Sequence, residues 1–510
     1  MSRINTNPSS MIAQSNLAKN NKSLNTTLER LSTGLRINRG KDDPAGLIAS
    51  ENLRAEKTAL SAAIGNAERA DQIANIAEGG LQEVSNLLTD LRGLITASAN
   101  GAGLSTEEKL ANQLQIDSIL QTVDRISDST NFQGVKLLNG NLDFNTSSVS
   151  ANVADFRINA AKVNAGATMS VTATVTASAQ RGALLLDLSG VGITTTGGQL
   201  YTIEVAGANG SREFSFSTGT TTAQAVTAIN SFKDVLGLSA SVNSTSGIQF
   251  RSTDFGSDQF ASVKVIDKAG ATGGSLKVGG ATAAYTFGSP VAVANGVSVR
   301  DTGKDIGGTI NGVLATGKGR TLRVASDFLD TEVTLVAGTT AGQAENVGST
   351  SAFTITGGGA TFQLASKVDI NGKVALGIQS VAARKIGRAE ITDSNGTNTR
   401  FLADLASGKA GNVVTGNLTA AAKIVEEAIR QVSSLRGRLG AFQKNTVGST
   451  ISNLNVSLEN SSAAESVIRD ADFASETANL TRGQILSQAA SNSLTLSNSQ
   501  PQQALALLRG

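Results

Sequence analysis

Ala77, Leu81, Val84, Leu88, Leu91 and Ile95 step alternately by four and three residues, the spacing of a coiled-coil seam. The helix that carries this seam has a marked start: Asp43 supplies an N-cap oxygen, and Pro44 takes the first helical position, where a missing N–H costs nothing. Running from Pro44 to Ala99, it would be roughly 80 Å long at 1.5 Å per residue, far beyond the usual globular helix. Asn100, Gly101 and Gly103 close it, and Ser105 with Glu108 forms a capping box that opens another helix bearing Leu110, Leu114, Ile116, Leu120, Val123 and Ile126. Upstream, Leu17, Leu24, Leu28, Leu31 and Leu35 form a separate apolar stripe that Gly34, Gly40 and the Asp43-Pro44 pair interrupt.

The same grammar returns at the far end. Ala428, Val432, Leu435, Leu439 and Phe442 alternate by four and three, followed by Val447, Ile451, Leu454 and Leu458. Ser462 and Glu465 read as the cap of a last helix, which carries Val467, Ile468, Leu480, Ile485, Leu486, Leu494, Leu496, Leu505, Leu507 and Leu508 among mostly uncharged Asn, Gln and Ser. Such a helix is poorly suited to stand alone in water and well suited to order on assembly.

Between about 141 and 415 the period changes to two, as in Tyr201–Val205, Arg212–Phe216 and Thr331–Leu335, with glycine punctuation at Gly197-Gly198, Gly273-Gly274 and Gly357–Gly359. Gly219–Ala225 and Gly338–Ala344 echo one another, which fits either two related modules or a shared Gly-Thr-Ala composition. The fold expected is therefore α+β: long antiparallel coiled-coil helices from both termini, with a β-rich central insertion. Its segments are an inner helix and linker (1–43) pairing with a terminal helix (462–510), two helical halves (44–140 and 416–461), and an exposed β region (141–415).

Composition removes most chemistry. The 510 residues contain no His, Cys or Trp, which excludes His-based metal sites, His-dependent triads, thiolate catalysis and disulfides. With 43 Lys and Arg against 41 Asp and Glu, the net charge of +2 gives no polycation for nucleic acid. There is no apolar run long enough for a membrane span, and Met1–Arg30 has no apolar signal-peptide core. A cysteine-free chain suits the cytosol or transit as an uncrosslinked thread. The pairs Asp42-Asp43 and Glu107-Glu108 sit at helix starts, where carboxylates favour the helix dipole, so capping outweighs acid–base work. The glycines at 357–359 lack the Lys-Ser or Lys-Thr of a phosphate cradle and read as a loop. Asn25-Thr-Thr27 and Asn145-Thr-Ser147 match the N-glycosylation pattern, which requires a surface loop. Neither an enzyme nor a cofactor or metal site is expected.

Several stretches, in order along the chain, resemble the hallmark motifs of bacterial flagellins: Leu31–Leu47 (LSTGLRINRGKDDPAGL), Glu78–Val84 (EGGLQEV), Asn131–Gly140 (NFQGVKLLNG), Arg436–Phe442 (RGRLGAF), Arg469–Phe473 (RDADF) and Pro501–Arg509 (PQQALALLR). A weaker central match, Ala225–Asn230, resembles a flagellin insert motif.

The resemblance implies a subunit that is exported unfolded through the flagellar type III pathway and polymerises into the extracellular filament used for motility. It further implies a homopolymer that meets an export chaperone at its C-terminal helix, a filament cap and hook-associated junction proteins, with no nucleic acid and no membrane insertion. The residues expected in subunit packing are Leu17, Leu24, Leu28, Leu31, Leu35, Ile485, Leu486, Leu494, Leu505 and Leu508. Those of the surrounding seam are Leu81, Val84, Leu88, Leu91, Ile95, Val432, Leu435, Leu439 and Phe442. In the run that aligns with the family's innate-receptor patch, Arg92 and Leu94 match, whereas Asp90 replaces a cation and Gly93 an acid, so weak receptor recognition is expected. Two other readings stay open at this level: a hook-to-filament junction protein, and an adhesin or glycan-binding module on a helical stalk.

Overall fold

A computed structural model describes residues 6–100, 103–164, 166–188, 193, 198–243, 247–268, 274–279, 290–336, 348–393 and 396–509. The Gly338–Ala344 half of the internal echo, Gly197 and Gly273 lie outside these. The helices are α1 (Pro8–Thr33), α2 (Pro44–Ser98), α3 (Thr106–Ser129), α4 (Thr222–Asn230), α5 (Lys233–Leu236), α6 (Leu418–Ala441), α7 (Gly448–Arg469) and α8 (Phe473–Arg509). The chain forms two compact units. One comprises Met1–Ala74, Gln363–Gly372 and Gly440–Gly510; the other comprises Asn75–Phe362 and Lys373–Leu439.

In the first unit, α1 begins as its sequence dictates: the Asn7 side chain accepts the Ser10 N–H, and Pro8 occupies the opening turn. It ends at Gly34, whose φ of 73° is the left-handed conformation glycine adopts without strain. Leu35 consequently lies beyond the helix and leaves the stripe drawn through it; it forms an isolated antiparallel bridge with Asp470. The first part of α2 buries Leu60, Ala63, Ala67, Ala70 and Ala74, a stripe small enough for close helix approach. Lys57 pairs with Glu465 at 2.7 Å and Glu51 with Arg469 at 3.2 Å, so α7 runs antiparallel to this stretch of α2. The helix start expected at Ser462 is absent: α7 continues to Arg469, and the break falls at Asp470–Asp472. Ser462 sits mid-helix, and Glu465 serves Lys57 instead of a cap. Phe442–Val447 is π-helical, and both its end residues are buried.

In the second unit the seam residues Ala77, Leu81, Val84, Leu88, Leu91 and Ile95 are all buried, as are Ala428, Val432, Leu435 and Leu439 of α6. Arg436 Nε donates to Glu78 at 2.8 Å, tying α6 to α2. The capping box of α3 is formed: Glu108 N–H donates to Ser105 Oγ, and Ser105 N–H donates to the Glu108 carboxylate at 2.7 Å. That N–H holds the Glu108 carboxyl below its ordinary value. The buried face of α3 is Gln113, Ile116, Leu120, Val123 and Ser127, so Leu110 and Leu114, expected on the apolar stripe, are exposed instead. Gln113 fills a core position because its amide is fully used: Nε2 donates to Leu405 O, and Oε1 accepts the Val413 N–H, each at 2.9 Å.

The β region contains an eight-stranded antiparallel sheet in the order Phe144–Ser147, Gly348–Gly358, Met169–Ala177, Gly307–Ile310, Val313–Lys318, Thr321–Ala325, Leu329–Leu335 and Val153–Ala161. Its core includes Val171, Ile306, Ile310, Leu322, Val333, Phe353 and Ile355. Gly357 and Gly358 close a strand instead of forming a loop, and a Cβ at Gly358 would lie 2.5 Å from the Asp143 carbonyl. A second core, built on Leu186, Ile203, Val205, Phe250 and Val263, lies between a five-stranded and a four-stranded sheet and takes in Ala225 and Ile229 of α4. Asn230 ends α4 by donating to Ala240 O and accepting its N–H. The glycosylation patterns fall on regular structure: Asn25 lies within α1 with Thr27 buried, and Asn145 lies on a strand.

Candidate assembly surface

Helices α1 and α8 pair antiparallel over most of the length of α1. Asn7 Nδ2 donates to Ser497 O at 2.7 Å, Ser10 Oγ to Asn498 at 2.6 Å and Asn20 Nδ2 to Leu486 O at 3.2 Å. Ser487 Oγ donates to Asn21 at 2.9 Å, and Arg30 pairs with Glu476 at 3.1 Å. From the Asn7–Ser497 contact to the Arg30–Glu476 pair, position rises along α1 while it falls along α8, so the two helices run antiparallel. Gly483 makes close approach possible, since a Cβ there would come within 3.3 Å of Leu24 Cδ1. Asp472 caps α8 by accepting the Ala474 N–H at 2.9 Å.

Amide and hydroxyl groups bridge this pair, and its apolar side chains differ in burial. Leu17, Leu24 and Leu31 of α1 and Leu494 of α8 are half-buried. Leu28, at 45 % exposure, Ile485, at 64 %, and Leu486 lie open, as do three residues absent from the expected set: Met11, Ile12 and Leu496. Leu505 and Leu508 lie on the last turns of α8, with side chains outside the described residues. Periodicity could not single out Met11 and Ile12, because adjacent apolar residues on a polar helix mark no stripe. Charge along α1 is confined to Lys19, Lys22, Glu29 and Arg30. Met11 with Ile12, and Ile485 with Leu486, are adjacent exposed apolar pairs on these two helices.

The connectors before α2 and α8 also meet. Arg36 N–H donates to Arg469 O at 2.7 Å, Ala471 N–H to Gly34 O at 2.9 Å, and the Arg36 guanidinium to Ile468 O. The LSTGLRIN and RDADF stretches are thus one joint made from opposite ends of the chain. In the second unit Leu81, Val84, Leu88, Leu91, Ile95, Val432, Leu435 and Leu439 make up the seam interior. Phe442 is buried but falls in the π-helical turn of the first unit. Arg92 is exposed on α2 and Leu94 half-buried.

Long helices at both ends of the chain, the first and last of them paired with each other, and a β-rich central insertion define the class of helical filament subunits. The chain belongs to the flagellin family. The family model for the bacterial flagellin N-terminal helical region matches residues 4–143, that for the C-terminal helical region matches 422–508, and the flagellin hook IN motif matches 186–254. A flagellin of Salmonella typhimurium is 31 % identical, with 99 % of each chain covered. A B-type flagellin of Pseudomonas aeruginosa is 28 % identical and flagellin A of Helicobacter pylori 26 %, each again with 99 % of both chains covered. The chain is a structural subunit that polymerises into the bacterial flagellar filament, and these relatives do not favour the junction-protein or adhesin readings.

Proposed function

We propose that the α1–α8 pair is the surface through which copies of this chain join, and that it lines the axial channel of the filament. Residues 44–140 and 416–461 then form the surrounding tube, and residues 141–415 the outer surface. The observation that carries this reading is the set of open apolar side chains, from Met11, Ile12 and Leu28 to Ile485, Leu486 and Leu496, on a pair whose polar positions are mostly uncharged. Burial of each such side chain between copies contributes about 1.5–3 kcal/mol, and repetition along a polymer outweighs the cost of ordering two thin helices. An uncharged lining suits a channel through which further unfolded subunits pass, because dense charge would retain them.

The same reading has the chain secreted unfolded through the flagellar type III route, with the cysteine-free composition suited to threading. An export chaperone engages α8 before assembly, and the filament cap and hook-associated proteins contact the ends of the polymer. The chain performs no catalysis. Arg92 and Leu94 give at most a weak innate-receptor contact, because Asp90 and Gly93 interrupt the patch. Seeding purified monomer with short filament fragments, with electron microscopy and circular dichroism recorded together, tests the assembly reading. Long filaments with a rise in helicity are expected; persistent monomers or short rings would refute it.

A further inference from the structure

Within the second unit the β region divides into two bodies. Among the described residues, every strand of the five- and four-stranded sheets lies between Ala183 and Thr302, and none of the eight-stranded sheet does. Each body has its own apolar core. The chain leaves the eight-stranded sheet for this insert at 178–182 and returns at 303–306. At the crossing, Gln180 N–H donates to Lys304 O at 2.7 Å, and Lys304 N–H donates to Gln180 O at 3.0 Å. A bridge only two chains wide is marginal by itself and does not fix the direction of the body it carries.

The loop at 253–259 makes a second connection. By sequence it belongs to the insert, yet Phe255 packs against the core of the eight-stranded sheet. Its ring centre lies 4.3 Å from the Arg181 guanidinium and 5.6 Å from that of Arg320. Two residues on, the Asp305 carboxylate accepts the Ser257 N–H at 3.1 Å and the Ser257 hydroxyl, and it also accepts the Gly319 N–H at 2.7 Å. Gly256 N–H donates to Gln180 O at 3.2 Å. Glycine is needed at that point, because φ is 116° and a Cβ would lie 2.7 Å from Asp305 Oδ1. Asp258 and Lys318 add a solvent-exposed ion pair at 3.5 Å, which contributes little.

We infer that the insert, residues 182–303, is an arm that pivots on the Gln180–Lys304 bridge and is latched in one direction by Phe255 and Asp305. Hinge and latch rest on different residues. Opening the latch therefore leaves both cores whole and frees only the direction of the arm. Asp305 acts as a positioning residue, since it lies beside the hinge and holds the loop from across the joint. The segment matched by the flagellin hook IN motif, 186–254, lies wholly within the arm and ends where the latch begins, so the latch sets how that segment is presented.

Because the chain contains no cysteine, spin labels go only where a cysteine is introduced. Ser211→Cys on the arm with Leu314→Cys, 82 % exposed on the eight-stranded sheet, reports the direction of the arm. Ser211→Cys with Ser298→Cys, on the two edge strands of the four-stranded sheet, reports the fold of the arm itself. Pulsed electron–electron distance measurements on the full-length monomer should give a narrow distribution for both pairs. Asp305→Ala and Phe255→Ala should each widen the first distribution at least about twofold and leave the second unchanged. Asp305→Asn, which keeps the oxygen that accepts both N–H groups, should stay close to the narrow distribution. A first distribution already broad with the latch intact, one that neither Ala variant widens, or widening by Asp305→Asn as large as by Asp305→Ala would overturn the latch. Widening of both pairs together would overturn its independence from the arm's core.

Discussion

Leu35 and Asp470 form an antiparallel bridge, so the second residue past the end of α1 is paired with the first residue past the end of α7. Two connectors meet at this joint, and Gly34, between α1 and the bridge, sets the turn with a φ of 73°. An added Cβ at Gly34 meets nothing within 4 Å, so substitution there is penalised by backbone conformation alone. Gly34→Ala is expected to cost about 1–2 kcal/mol, seen as a lower denaturation midpoint of the first unit. Exchange protection at Arg36 and Ala471 should fall together, because their N–H groups belong to the same joint.

Gly79 and Gly80 are neighbours inside α2 with opposite surroundings. A Cβ at Gly79 meets nothing within 4 Å, whereas at Gly80 it would lie 2.8 Å from both Leu138 Cδ1 and Thr130 Oγ1. Gly79→Ala should therefore stabilise the second unit by about 0.5–1 kcal/mol through helix propensity. Gly80→Ala should destabilise it by about 1–3 kcal/mol through overpacking. Thermal melts of the two variants measure both, and equal shifts would contradict the packing described.

Acid should release the start of α3. The Glu108 carboxyl is held below its usual value of 4.5, first by the Ser105 N–H and then by the Ser105 hydroxyl. A depressed pKa in the folded state means that the contribution is complete above the unfolded value and is lost as pH falls through the folded one. Hydrogen exchange at Ser105 and Glu108 should accelerate as pH falls below about 4.5, once corrected for intrinsic rates. Glu108→Gln should flatten that dependence.

What the sequence made legible follows from period. The four-three steps from Ala77 to Ile95 emerge as a fully buried seam because that spacing by itself keeps these positions on one stripe of the helix. Caps such as Ser105 with Glu108 are equally local. The same local rule misled at Ser462 and Glu465, where tertiary pairing with Lys57 made Glu465 part of a longer helix. It also placed Leu110 and Leu114 inside, while the position facing the core belongs to Gln113. No single-helix pattern reveals that, because its partners Leu405 and Val413 lie some 300 residues away. Sheet order was illegible for the same reason, as the pairing of Phe144–Ser147 with Gly348–Gly358 spans the whole β region. Among the exposed apolar residues of α1 and α8, Leu28, Ile485 and Leu486 belong to the expected packing set, whereas Met11, Ile12 and Leu496 do not, because exposure depends on which side of each helix its partner covers.

Ile485 gives the most direct check of assembly through the α1–α8 face. It is 64 % exposed on α8, so Ile485→Asp leaves the monomer fold intact while placing a charge where a second copy is to pack. Seeded polymerisation of this variant, imaged by electron microscopy with the monomer spectrum as a folding control, should yield a soluble, folded monomer and no filaments. Filaments of normal length and yield would contradict the account.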